Sequence, residues 1–427
     1  MRLLLKNGRV VDPASGTDDT LDILIDGELI VEIKDKIEAR DARLIDASRL
    51  VVAPGFIDMH VHLREPGQEH KETIETGTRA AAKGGFTSIC CMPNTLPVND
   101  SRKVTRLIKS RAAKNALVNV FPIAAITTGL QGAELTDMAG LTAAGAIAFS
   151  DDGNCVQNTR LMRSAMERAK ALKALIIDHC EDRFLFEGGV IHDGPLAKRL
   201  KVGGIPSACE EIMVARDIIL AESLETRIHI AHLSTRGSAR LVREAKKRGI
   251  HVTAEATPHH LLLTDDRLEN RETAYKVNPP LRGAEDLRAM IEAVKDGTID
   301  VFATDHAPHA AKEKALSLEK APFGMTGLET AVSLLYDRIV GKNVISLARF
   351  IEMCSTRPAA LLGLASKGRI AVGADADLTI LNLHQDFVVD AGAFESKCRI
   401  SPYDGWKLRG APAMTVVGGK IVYPFGS

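Results

Sequence analysis

The stretch GFIDMHVHLREPG, residues 55–67, places two histidines, His60 and His62, one residue apart, with Asp58 before them and Arg64 after. Read as a strand, its alternation sends Phe56, Asp58, His60 and His62 to one face and Ile57, Met59 and Val61 to the other. Two imidazoles side by side on a buried face call for a chemical reason. Working outward, short apolar strands alternate with amphipathic helical stretches. After 55–62, candidate strands recur at 87–94, 118–126, 145–152, 174–180, 227–234, 250–257 and 300–307. Between them lie segments such as KETIETGTRAAAKGG and GSARLVREAKKRG, with helical spacing and a glycine stop. Eight strands alternating with helices predict an α/β protein built on a parallel (β/α)₈ barrel, with a doubly wound open sheet as the alternative.

The two ends have a different texture. RLLLKNGRVVD and DILIDGELIVEIK near the start, and GADADLTILNL and AMTVVGGKIVYPFG near the end, are short β-like pieces punctuated by Gly and Asp. The termini are therefore expected to meet in one small β domain. Residues 1–53 and 366–427 would form it, and residues 54–365 the barrel.

Composition narrows the function classes. Of the 427 residues 45% are hydrophobic and 26% charged, a globular profile. Lys+Arg and Asp+Glu balance at 55 each, so no net field attracts nucleic acid or anionic lipid. The first apolar run is too short for a signal peptide and no stretch reaches membrane-spanning length. The seven cysteines show no CxxC spacing and read as reduced thiols of a cytoplasmic protein.

In such a barrel the active site lies at the C-terminal strand ends, and the unusual polar residues fall there. His60 and His62 end strand one, Asn94 strand two, Asp151 and Asp152 strand four, His179 strand five, His232 strand six and Asp305 strand eight, with His309 just beyond. His70, His192, His251 and His384 read as ordinary structural or surface histidines. His229, of opposite parity to His232, is expected to face the helices, and His306 to face away from Asp305. His259 and His260 could be loop structure or support. Imidazoles and carboxylates at strand ends suit Zn²⁺, and also Mn²⁺ or Co²⁺. His60, His62, Asp152, His179, His232 and Asp305 exceed what one catalytic zinc takes, so two metals sharing a bridging group are expected. Two divalent ions, two carboxylates and a hydroxide leave about one positive charge, which favours an anionic substrate, a preference that Arg64 and His309 would strengthen.

The ordered series DMHVHLREPG, MPNT, FSDDG, HC, AHLST, VNPPLR, TDHAPH and FGMTGLET resembles the motifs of the dihydroorotases, more narrowly their type I bacterial branch within the amidohydrolase superfamily. The resemblance covers the chain from the N-terminal β segment to GADADLTIL. It implies a (β/α)₈ barrel with a small β-sandwich made from both termini, and the reversible cyclisation of N-carbamoyl-L-aspartate to L-dihydroorotate in pyrimidine synthesis. It further implies that His60, His62 and Asp305 hold one zinc, His179 and His232 the other, and that Asp152 bridges. Asp305 would also carry the proton. Arg64, Asn94 and His309 would grip the substrate carboxylate beside His62, while Asn278 and the backbone at Phe323-Gly324 close over the ring.

One departure stands out. Many relatives bridge their metals with a carbamylated lysine, and strand four here reads AIAFSDDG with no lysine at its end. Ile147 and Phe149 suit the helix side and Ala148 and Ser150 the interior, whose parity Asp152 shares. Asp151 is then left to support or capping. Alternatives are a hydantoinase- or allantoinase-type cyclic amidase, a catalytically dead partner of aspartate transcarbamoylase, and an active enzyme that needs that partner. A homo-oligomer is expected.

Overall fold

The computed structural model describes residues 2–424. Its central sheet has eight parallel strands: β1 (Phe56–Val61), β2 (Phe86–Cys91), β3 (Asn119–Ala124), β4 (Ala148–Phe149), β5 (Leu175–Asp178), β6 (Ile228–Ile230), β7 (Val252–Ala256) and β8 (Val301–Phe302). They pair in chain order from β1 to β8. The ring closes at the mouth, where His62 N donates to His306 O at 2.8 Å and Val61 bridges His306. The Asp58 carboxylate adds to that closure by accepting from the backbone N–H of Thr304 and of His60. This is the barrel that the strand–helix alternation predicts.

Two apolar layers hold it. Ile57, Met59, Cys90, Ile123, Ala148, Ile177 and Val301 fill the interior, stoppered by Leu361 and Leu362. Phe56, Val61, Phe149, Ile228, Ile230 and Ala254 face outward onto the helices. Alternation thus fails on β1: Ile57 and Met59 point inward with the histidines instead of away from them. The cause is a register irregularity between Asp58 and Val61, which lets the neighbouring Met59 and His60 both face the axis. Ile147 likewise packs toward the interior cluster and not toward the helices.

β4 and β8 span two residues each, much shorter than the pattern suggested. Side chains replace the ladder there. Beyond β4, Asp151 accepts from the N–H groups of Ile126 and Thr127. Beyond β8, Asp58 takes the Thr304 N–H.

The terminal segments share one mixed sheet. Its order is Lys420–Tyr423, Lys407–Val417, Leu378–Val388, Val51–Pro54, Arg2–Asp12, Thr17–Asp26, Leu29–Lys34, with Arg43–Asp46 also paired to Arg2–Asp12. Val51–Pro54 runs straight on into β1, so the sheet anchors the strand that carries the paired histidines. Gly55 makes the junction possible, because a Cβ there would lie 2.2 Å from Thr87 Oγ1. Among the described residues no helix is long and apolar enough to cross a membrane. All seven cysteines are buried and free.

Candidate active site

The strand ends deliver their side chains through unusual backbone. Arg64 (φ 59°), His232 (φ 26°) and Asp305 (φ 45°) all lie in the left-handed region, which L residues enter at a cost and which clusters at functional sites. The helix Ala208–Leu224 behind the site supports the ends of β5 and β6. Glu210 accepts from the N–H groups of Ser234 and Thr235 and so fixes the turn after His232. Arg216 pairs with Asp178 at 3.2 Å and Asp217 at 2.7 Å behind β5, just below His179.

His60, His62, Asp152, His179, His232 and Asp305 converge at the mouth, all of them buried. Asp152 Oδ1 is 3.3 Å from His60 Nε2, 3.7 Å from His179 Nδ1 and 3.8 Å from His232 Nε2, and Asp152 Oδ2 is 3.5 Å from His62 Nε2. Asp305 Oδ1 lies 3.0 Å from His62 Nε2 and 3.6 Å from His60 Nε2. Burial alone would raise the Asp305 carboxyl, but the His62 hydrogen bond and the surrounding imidazoles hold it below the ordinary range. Asp151 takes no part. It is tied to the loop after β3, and burial pushes its carboxyl up to about 6.

His60 and His62 each have one ring nitrogen spoken for and one turned inward. His60 Nδ1 donates to Glu255 Oε1 at 2.7 Å and His62 Nδ1 donates to Asn94 Oδ1 at 2.9 Å. His60 Nε2 is buried without a hydrogen-bond partner. His179 Nδ1 and His232 Nε2 stand 2.9 Å apart. Inward lone pairs, an orphaned imidazole nitrogen and two carboxylates fit a divalent metal centre. Two groups, His60–His62–Asp305 and His60–Asp152–His232, each bring their donor atoms within 4.8 Å of one another. A third, Asp178–Cys180–Asp217, already has the Arg216 guanidinium as its cation.

A cavity of about 400 Å³ opens beside these residues, with Arg64, Asn94, Asn278, His309 and Phe323 in its wall. Arg64 is 8% exposed and donates from Nε to Pro308 O. Among the described residues no carboxylate comes within 4.0 Å of its guanidinium. His309 donates from Nε2 to Phe323 O at 2.7 Å, leaving Nδ1 to accept from Lys71. Burial and the neighbouring Arg64 and Lys71 push His309 down to about 2. It therefore supplies hydrogen bonds and no charge, which corrects the expectation that it adds to the positive field. Asn94 is engaged on both sides, accepting from His62 and donating to Asp152 Oδ2 at 3.2 Å. Gly324 (φ 132°) admits no side chain, since a Cβ would lie 2.6 Å from Ala307 O, and its N–H is bonded to Lys276 O.

His229 does not face the helices. Ile228 and Ile230 on either side of it do, so His229 points inward, where its Nε2 meets Glu255 Oε2 at 3.1 Å. Counting parity back from His232 fails because the backbone kinks at that residue. His306 does turn away from Asp305, toward Glu72. His259 and His260 are buried on the short helix Pro258–Leu262, and His260 binds Thr257 and Pro279 O.

The sequence reading missed Glu255. Burial would raise its carboxyl, and the His60 and His229 rings reverse that and keep it ionised. Its signal was present as a lone acidic residue between alanines in a buried strand. Lys276 and Lys314 were missed as well. Lys276 Nζ donates to Leu318 O, Glu319 O and Ala321 O, and Lys314 Nζ to Lys276 O, Pro322 O and Gly324 O. Together they fasten the segment that carries Phe323 over the cavity.

A dihydro-orotase-like family model matches residues 48–238, and an amidohydrolase family model matches residues 220–423. The dihydroorotase of Bacillus cytotoxicus is 49% identical over 423 residues, 99% of this chain and 98% of its own. The chain belongs to the dihydroorotase family. A second dihydroorotase, from Bacillus cereus, is 48% identical over the same 423 residues, 99% of this chain and 98% of its own. Solved relatives extend the fold to other cyclic amidases. The dihydropyrimidinase of Brevibacillus agri superposes with a TM-score of 0.88 at 27% identity, over 99% of this chain and 95% of that one. The L-hydantoinase of Arthrobacter aurescens gives 0.89 at 28%, over 98% and 95%. Within this dihydroorotase-family chain the barrel is therefore common ground, and substrate choice must come from the residues around the metal-type cluster.

Proposed function

We propose that this chain interconverts N-carbamoyl-L-aspartate and L-dihydroorotate, with His60, His62 and Asp305 holding one zinc ion, His179 and His232 a second, and Asp152 between them. The observation that carries the reading is Arg64: a buried guanidinium without a protein carboxylate, beside the cluster of ligand-type side chains. A buried charge of that kind is costly until an anion joins it, and the substrate brings a carboxylate. Bound zinc would supply Lewis acidity and a water acidic enough to act as nucleophile at neutral pH. Arg64, the second N–H of Asn94 and the neutral His309 orient the carboxylate. Asp305, with His62 against one oxygen, takes the proton of the attacking water and passes it to the ring nitrogen as the amide opens. Asn278 and Phe323-Gly324 cover the ring.

The deciding experiment is metal analysis of the isolated protein with turnover measured on L-dihydroorotate and on hydantoin. Preference for hydantoin would make it another cyclic amidase. The same assay with and without added aspartate transcarbamoylase tests dependence on that partner. We further propose a homo-oligomeric, cytoplasmic enzyme.

Arg64→Lys keeps the charge and loses the planar fork. Dihydroorotate should then bind more weakly while a neutral cyclic amide is little affected; equal losses on both would assign Arg64 to support of the metal residues. Asp152 yields a second expectation. A lysine bridge must first capture carbon dioxide, whereas an aspartate is already an anion. Apo-protein stripped with chelator and freed of carbon dioxide should regain full activity with zinc alone, and Asp152→Ala should not recover at any bicarbonate level. A bicarbonate requirement in the unmutated protein would remove Asp152 from the bridging position.

A further inference from the structure

One carboxylate in the cavity wall has no task in this scheme. Glu181 follows β5, four strands round the sheet from β1, and lines the cavity that Arg64 and His309 line from the other side. Its Oε2 accepts from Asn278 Nδ2 at 2.6 Å and lies 3.5 Å from His179 Nε2. Its Oε1 accepts no hydrogen bond from the described residues and is not sealed from solvent, since the side chain keeps 13% exposure. The pocket is thus polarised. Cationic and neutral donors stand on the β8–β1–β2 wall, and an acceptor steadied by Asn278 stands on the β5 wall.

We propose that Glu181 is a specificity-determining residue that receives the N–H group of the scissile amide. The inference rests on the dihydroorotase reading. In the six-membered ring, the carbon bearing the carboxylate and the nitrogen of the bond to be cleaved lie at opposite ends. With the carboxylate against Arg64, that N–H faces β5. An ionised carboxylate only accepts hydrogen bonds, so Glu181 welcomes N–H there and repels a carbonyl or a second carboxylate. In the synthetic direction it would hold the ureido nitrogen toward the carboxyl group it must reach, a positioning effect.

The test uses the metal-loaded enzyme, with Glu181→Ala and Glu181→Gln. The readouts are KM and kcat for L-dihydroorotate, the inhibition constant of the analogue methylated on the scissile nitrogen, and bound metal. The unmutated enzyme should bind the methylated analogue about 10- to 100-fold more weakly than dihydroorotate, the range for a hydrogen bond to a charged group. In Glu181→Ala, KM should rise by a similar factor, the two ligands should bind alike, and metal content should stay unchanged. Glu181→Gln, whose amide oxygen still accepts, should fall between. Unchanged discrimination in Glu181→Ala overturns the proposal, as does a loss confined to kcat with metal released, which would make Glu181 a support for His179. If the unmutated enzyme fails to turn over dihydroorotate at all, it is the dihydroorotase reading that falls.

Discussion

The protein with both His60 and His62 replaced by alanine is expected to lose turnover entirely and to retain less metal than the unmutated chain. The two rings have separate supports, Glu255 behind His60 and Asn94 behind His62, so each is pre-aimed and neither can stand in for the other. Loss of supporting residues alone typically costs about 10- to 100-fold in metal affinity or activity; loss of the rings themselves should exceed that. The substitution also removes one hydrogen bond to the buried Glu255, which keeps His229 and the His232 N–H, at a cost of about 1.5–3 kcal/mol for a hydrogen bond to a charged group. A thermal melt therefore belongs beside the metal analysis, to separate an empty site from an unfolded barrel. Full activity with unchanged metal content would end the metal-centre reading.

Asp305→Asn is the second large effect. The amide keeps the shape and one oxygen donor, so the protein should fold and hold much of its metal. It can no longer accept the proton from water, and turnover should fall by at least about 10²-fold, the lower range for general acid–base groups. The effect should appear in kcat, with dihydroorotate binding largely preserved because Arg64 and His309 are untouched. Near-normal turnover would remove Asp305 from proton transfer and leave it, at most, a ligand.

How much of this could be read from the chain depends on which physical signal each feature leaves. The barrel was legible because strand–helix alternation and the eight strand-end positions follow from period and spacing. So was the convergence of His60, His62, Asp152, His179, His232 and Asp305, since a barrel sends all its strand ends to one place. Facing was less legible. Parity failed at Met59 and at His229 because each lies next to a point where the backbone leaves the regular extended form, at the β1 irregularity and at the His232 kink. Strand lengths failed at β4 and β8 because Asp58 and Asp151 satisfy backbone donors that a ladder would otherwise take. The supporting residues Glu255, Glu181, Lys276 and Lys314 went unread for another reason. Acidic and basic side chains are common, and only three-dimensional contact separates those that hold a site from those that meet water.

The two lysines under the cavity rim give that rim a particular way of coming apart. The segment from Leu316 to Gly324 has neither helix nor strand, so no ladder unzips from its ends one bond at a time. Six carbonyls converge instead on two ammonium groups, three on each. Lys314 also grips the backbone of Lys276, which links the two fastenings. When one releases, several carbonyls lose their donor together and the other fastening loses its footing. The rim should then behave as a single latch, shut or open as a unit, while the barrel beneath keeps the metal-type residues in register.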